Sequence, residues 1–295
     1  MQYRRLGKTE LSVSTVGLGT WQFAGVWGKQ FDQREVNRLF SRAAELGINF
    51  VDTAECYGLD HLSEQFIGNA LAGQRDKWII ATKFGHNSAN TLGDENCQPE
   101  QVLFQLEASL DALQTDYIDV YQMHSASNDL FDNDELWTML DKQVQAGKVR
   151  FLGNSIGRPN NKFQPKRSLE FGISVIQTIY NLVKTQAEET VFPFAQEQDL
   201  GVIARVPLAS GFLSGKYQPG HEFDSHDVRS WRPQAGLDKE INAALVALKQ
   251  KPADLEPAVW ASAWCLRQAS VATVIPGLKS LEQLELNALS SDISL

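Results

Sequence analysis

The chain has 295 residues, 43% of them hydrophobic and 21% charged, the balance of an ordinary water-soluble globular protein. Its formal charge of −9 and pI near 5.1 argue against nucleic acid or an anionic membrane surface as a partner. Three scattered cysteines with no CxxC exclude a disulfide framework, and no zinc-ligand spacing joins them to the five histidines, so no metal is expected. No apolar signal-peptide core follows the first arginines and no run reaches membrane-spanning length, which points to the cytoplasm.

The opening YRRLGKTELSV reads as a short β-hairpin, two brief strands around Gly7-Lys8-Thr9. A regular alternation follows. Strands are expected at 15–18, 49–53, 78–83, 118–124, 149–154, 175–180, 202–207 and 273–275. Amphipathic helices are expected at 35–46, 62–72, 99–113, 134–146 and 186–197. Trp78-Ile79-Ile80-Ala81 and Val202-Ile203-Ala204 are continuous apolar runs, as parallel strands buried on both faces require. Gly47 and Gly147 end helices, and Gly201 precedes the seventh strand. Eight strand–helix alternations without a low-complexity linker predict one (β/α)₈ TIM barrel domain over residues 1–295, preceded by the hairpin. The rhythm breaks at 209–237, a polar segment of a length that is usually functional or disordered. After the eighth strand a helix at about 280–289 is expected, with too little chain beyond it for a long lid.

Catalytic groups of such barrels sit at the C-terminal ends of strands. The second strand ends at Asp52, and its loop continues Thr53-Ala54-Glu55-Cys56-Tyr57-Gly58. The third strand ends at Lys83 and the fourth at His124. Carbonyl reduction needs a hydride on carbon and a proton on oxygen. A phenol of pKa ~10 is a reluctant acid, and a neighbouring ammonium lowers that value. Tyr57 is thus the expected acid, Lys83 its tuner and Asp52 the counter-charge of Lys83. His124 would bond the substrate oxygen or relay the proton. Each residue alone reads as a cap, a core aromatic or a satisfied polar group; their placement on three consecutive strands carries the functional reading.

The chain resembles the aldo-keto reductase family over essentially its whole length. The matching segments are RRLGKTELSVSTVGLGTW, INFVDTAECYG with LSEQFIGNAL, IIATKFG, DYIDVYQMH, GKVRFLGNS, PLASGFLSGKY and IPGLKSLEQLELN. The resemblance implies an NADPH-dependent oxidoreductase that reduces aldehydes, ketones or sugars, and it places the family's catalytic tetrad on Asp52, Tyr57, Lys83 and His124. A Rossmann fingerprint is absent, since Gln22 stands where a third glycine would follow Gly17 and Gly19.

The resemblance also implies a cofactor site. Gly19, Thr20 and Trp21 would lie by the nicotinamide ribose, and Ser155 with Gln177 would hold the carboxamide. The family's usual Asn after that serine is Ile156 here, so a hydrogen bond is lost or Asn154 supplies it by a local shift. Arg205 takes the place of a tyrosine that stacks on the nicotinamide, and a guanidinium can also lie flat on a ring. Pro207, Leu208, Ser210, Gly211, Leu213, Ser214, Gly215 and Lys216 would cradle the pyrophosphate, and Asp227 with Arg229 matches a D-x-R pattern of the same loop. At the adenine end stand Gly277, Lys279, Gln283 and Asn287, with Ser280 capping the last helix. Lys279 would pair with a 2′-phosphate, and no acidic residue stands ready for the free ribose hydroxyl of NAD, so NADPH is the expected cofactor.

Trp21, Trp27, Tyr57, Phe84 and Trp231 are expected to line the substrate pocket, or to anchor loops. A small-molecule carbonyl substrate and no protein partner are expected. Two other functions use related features. A nucleotide-sensing auxiliary subunit would need an interaction segment, and none stands out. A Schiff-base aldolase would need a neutral lysine, which the Asp52 partner opposes.

Overall fold

The computed structural model describes residues 1–86 and 94–295. The first strands, β1 (Tyr3–Arg5) and β2 (Ser12–Ser14), pair antiparallel as the expected hairpin. Eight parallel strands follow: β3 (Leu18–Gly19), β4 (Phe50–Asp52), β5 (Ile79–Phe84), β6 (Ile118–His124), β7 (Val149–Ser155), β8 (Ile173–Ile179), β9 (Gly201–Arg205) and β10 (Val271–Ile275). Each pairs with its neighbour in sequence, and backbone bridges Val16–Val274 and Gly19–Gly277 join the two ends into a nearly closed (β/α)₈ barrel. The strand β3 is shorter than the expected 15–18 because residues before it bond singly to β10, as in Gly17 N to Val274 O at 2.8 Å.

Alternation along each strand splits the side chains between two layers. Outward residues such as Ile80, Phe84, Tyr121 and Met123 pack against helix residues Leu106, Leu110 and Trp137. Inward residues Phe50, Ala81, Val120, Val175 and Ile203 fill the barrel, and Leu6, Leu11 and Val13 of the hairpin pack on them from below. Each such large apolar side chain contributes roughly 1.5–3 kcal/mol by leaving water.

The helices start and stop for local reasons. Asp32 caps Gln33–Glu45 by accepting from Glu35 N at 2.7 Å, and Gly47 (φ 80°) ends it. Pro99 opens Pro99–Leu113, where a missing N–H costs nothing. The helix expected at 186–197 is two short pieces, Ala187–Thr190 and Phe192–Glu197, because Pro193 cannot donate across the break. Helices Gln234–Leu248 and Pro257–Leu266 escaped the periodicity reading. The second is buried nearly all round and so has no polar face to reveal a period. The polar segment at 209–237 is partly ordered by the turns Ala209–Ser214 and Val228–Trp231. Among the described residues, no helix is long and apolar enough to cross a membrane.

The hairpin is fastened to the barrel through Gly7, whose φ of 54° and backbone bridge to Leu200 leave no room for a side chain. A Cβ there would stand 2.1 Å from Gly201 N. Gly7→Ala is therefore expected to destabilise the protein by roughly 2–3 kcal/mol, read as a lowered urea midpoint with unchanged slope.

Candidate active site

The polar site begins where the apolar filling of the barrel ends. Two positions beyond inward Phe50, Ala81, Val120, Val175 and Ile203 come Asp52, Lys83, Gln122, Gln177 and Arg205. The two-residue period of the strand therefore lifts five polar side chains to one level at the C-terminal mouth.

Lys83 is 0% exposed and has a full set of acceptors. Its Nζ donates to Asp52 Oδ1 at 2.6 Å, to Thr53 O at 2.6 Å and to Tyr57 Oη at 3.3 Å. Asp52 Oδ2 accepts from Gln177 Nε2 at 2.6 Å and from Gln122 Nε2 at 3.2 Å. A buried ion pair survives only when its remaining donors and acceptors are satisfied, and here they are. Burial alone would depress Lys83, but Asp52 and Tyr57 outweigh it and hold the ammonium above the ordinary lysine value. Burial raises the Tyr57 phenol and Lys83 pulls it down, with a net result above the ordinary tyrosine value. Desolvation thus outweighs the depression expected from Lys83 alone. Burial, with Lys83, His86 and Arg205 nearby, holds His124 well below the usual imidazole range, so the ring is neutral.

Tyr57 and His124 face a cleft of about 470 Å³ that crosses the mouth. Trp21 lies against Tyr57 with ring centroids 6.0 Å apart, and Trp27 meets Trp21 edge-on at 5.0 Å. From this end the cleft passes Gly19, Thr20, Asp52, Gln177 and Arg205, then Pro207, Leu208, Ser210, Gly211, Ser214, Lys216 and Arg229, and reaches Gly277, Lys279, Gln283 and Asn287. The sequence reading placed these residues together, and the fold does bring them to one wall. Lys83 sits just beneath it.

Other expected positions lie elsewhere. Leu213 packs with Phe212, Leu237 and Ile241, away from the cleft, and the open side of Gly215 faces Leu248 and Pro257. Ser155 is absent from the wall and bonds behind it to Gln177 Oε1 at 3.3 Å. Asn154 does not replace the missing asparagine, because its amide turns outward and donates to Gln164 Oε1 at 3.1 Å. Ile156 is packed in the outer apolar layer with Ile176 and Tyr180. Phe84 also points outward, against Tyr121 and Trp137, and Trp231 is 64% exposed and outside the cleft wall. Arg229 lines the cleft, but its guanidinium is engaged by Asp227 at 2.6 and 2.8 Å. It holds down the loop that bridges Trp27 to Asp227.

Several wall residues went unread in the sequence: His86, Ser125 and the start of the helix Pro257–Leu266. Gln122, buried beneath the wall against Asp52, also went unread; its only signal was a polar residue within an apolar strand.

Two observations mark the cleft as a binding site. Five buried polar atoms of its lining residues, Gln22 Oε1, Trp27 Nε1, His86 Nδ1, Arg205 Nε and Asn287 Nδ2, lack a hydrogen-bond partner among the described residues. Such groups are costly unless a ligand or water meets them. The loop after β9 is also strained, with Val206, Ala209 and Ser210 at φ 57°, 48° and 59°. A β-branched residue is a true outlier there, and such strain of about 1–3 kcal/mol each gathers at ligand loops.

Known proteins match this architecture. The sequence profile described as "Aldo/keto reductase family" matches residues 15–295. The aldo-keto reductase YhdN of Bacillus subtilis is 31% identical over 239 residues, covering 79% of this chain and 70% of its own. The uncharacterised oxidoreductase YrpG of the same organism is 32% identical, covering 100% of this chain and 92% of its own. Among solved structures, the holo form of aldo-keto reductase AKR11C1 from Bacillus halodurans superposes with a TM-score of 0.80 at 30% identity, covering 100% of this chain and 92% of its own. Barrel, cleft and relatives agree: this chain belongs to the aldo/keto reductase family of oxidoreductases.

Proposed function

We propose that the chain, acting as one barrel domain, reduces aldehydes or ketones, sugars included, to alcohols with NADPH, and that Tyr57 delivers the proton. The observation that carries this reading is the buried chain Asp52–Lys83–Tyr57, with contacts of 2.6 and 3.3 Å, ending at the cleft floor beside His124. A bound dihydronicotinamide would supply the hydride. The protein supplies the rest. The neutral His124 ring and the Tyr57 hydroxyl face the place where a carbonyl oxygen can be held between them. As that oxygen gains charge, Tyr57 gives up its proton and the Lys83 ammonium stabilises the phenolate left behind. Asp52 keeps Lys83 charged and in place. The charged lysine also opposes a Schiff-base mechanism.

The unpartnered Gln22, Arg205 and Asn287 atoms fit a ligand rich in polar groups along the length of the cleft. Arg205 Nη2 donates to Ile156 O at 3.1 Å, which anchors the guanidinium at the nicotinamide end. Ser280 caps the last helix by accepting from Gln283 N at 3.2 Å. Beside it, cations are crowded: burial, then Arg229 and Lys29, push Lys279 below the ordinary lysine value. Asp227, 3.9 Å from Lys279, and Glu35 offset two of these three cations, and the one positive charge left over suits the 2′-phosphate of NADPH.

Fluorescence titration with NADPH and NADH, followed by a carbonyl panel read at the cofactor's absorbance, tests the reading. Tight NADPH binding with no turnover on any carbonyl would instead favour a nucleotide-sensing role. Lys279→Glu is expected to weaken NADPH at least ~10-fold, the effect of about 1.5 kcal/mol for a lost charged hydrogen bond, and to leave NADH much less affected. Equal losses for both would remove the 2′-phosphate assignment.

A further inference from the structure

Cys56, His86 and His124 are far apart in sequence, and their spacing matches no metal motif. The barrel brings them together. One ligand atom from each lies within 4.8 Å of the other two. Cys56 Sγ is 3.7 Å from His124 Nδ1, and the rings of His86 and His124 are 4.4 Å apart between centroids. In a tetrahedral zinc site with bonds of ~2.3 Å to sulfur and ~2.0–2.1 Å to nitrogen, sulfur and nitrogen stand roughly 3.6 Å apart. The Cys56–His124 pair already has that separation, and His86 needs to close by only about an ångström to join it.

We propose that Cys56, His86 and His124 form a binding site for a thiophilic divalent cation of the zinc class, set at the substrate end of the cleft.

The donor set has the composition of one sulfur and two imidazoles, which prefers zinc-class ions over magnesium or calcium. His86 Nδ1 is buried and has no hydrogen-bond partner among the described residues. The proposed carbonyl chemistry assigns no role to His86, whose ring thus keeps an unused nitrogen beside the two other ligands. The backbone of His86 is fixed from below, where its N–H donates to Glu55 Oε1 at 2.9 Å. Glu55 itself is buried and would place a carboxyl close to the added positive charge. Two cations act on His124: Lys83, compensated by Asp52 at 2.6 Å, and Arg205, which donates to the Ile156 carbonyl at 3.1 Å and opposes the added charge. Ligation would release the Cys56 thiol proton to solvent and leave a thiolate on the ion.

His86 and His124 both line the cleft, whereas Cys56 lies behind them. Three protein ligands leave a fourth position on the ion, as in zinc sites that exchange water. That position opens into the space that a carbonyl oxygen would occupy. Because the ion would engage the same His124 ring that is to bond the carbonyl oxygen, metal and carbonyl substrate compete, a consequence that rests on the reductase reading, while the metal site itself does not.

Titration of the whole purified protein with Co²⁺ tests the site without reference to turnover. One Co²⁺ per chain is expected, with the near-ultraviolet absorption of a thiolate–cobalt bond, and Zn²⁺ should displace it. Cys56→Ala should abolish that absorption. His86→Ala should weaken binding by more than the roughly 100-fold that loss of a supporting group around a metal costs. Cys56→Ser guards against a packing defect, since it keeps the volume and loses the thiolate band. A wild-type protein without the band at millimolar Co²⁺, or a band that survives Cys56→Ala, overturns the proposal. If binding is confirmed, Zn²⁺ should raise the KM for carbonyl with little change in kcat. Metal binding without that competition would leave the site standing and count against carbonyl binding beside His124.

Discussion

Tyr57→Phe is expected to lower kcat/KM for carbonyl reduction by ~10²–10⁴-fold while leaving the Kd for NADPH nearly unchanged. The substitution removes one oxygen and keeps the ring that stacks on Trp21 at 6.0 Å, so the cleft wall stays intact. The lost atom is the one that receives the Lys83 contact at 3.3 Å. Without it, no group of comparable acidity faces the substrate oxygen, because His124 is neutral and shielded. Steady-state kinetics with a reactive aldehyde, paired with a fluorescence titration, separates the two effects. Turnover within a few-fold of the parent protein would remove Tyr57 as the proton donor.

Lys83→Met should combine a catalytic loss with a structural one. Methionine preserves the length and apolar stem, but it leaves Asp52 buried with no positive partner. Breaking one side of a buried ion pair costs about 3–5 kcal/mol. Gln177 and Gln122 still donate to Asp52 Oδ2, which places the expected loss toward the lower end of that range. Urea unfolding measures it. Activity should fall even where the protein remains folded, since the phenolate left by proton transfer then has no cation beside it. Lys83→Met, Asp52→Asn separates the two contributions. The double variant removes both charges, so stability should partly return and turnover should not. Recovered turnover in that variant would show that Lys83 serves only to balance Asp52.

The large features of the fold were open to a reader of the sequence. Strands buried on both faces must be apolar throughout, so runs such as Trp78-Ile79-Ile80-Ala81 stood out, and so did the polar residues where they stop. Asp52, Tyr57, Lys83 and His124 were legible for that reason. The helix Pro257–Leu266 was not, because a helix surrounded by protein has no wet face to impose a period; nor was Gln234–Leu248, which buries only Leu237, Ile241 and Ala244.

Which side of a strand a residue faces near its end, and which neighbours reach it, depends on how the barrel closes. That closure turned Phe84 and Asn154 outward, buried Leu213 away from the cleft, tied Arg229 to Asp227 and moved Gln122 onto Asp52. It also set desolvation against the pull of Lys83 on Tyr57, a contest that residue type alone does not decide. By itself, the sequence determined the order of strands and the chemistry at their ends, since both follow from local period and residue type. Only the tertiary structure decided that Cys56, His86 and His124 meet, because they follow or end three neighbouring strands, β4, β5 and β6, and only the pairing and register of those strands set their ends side by side.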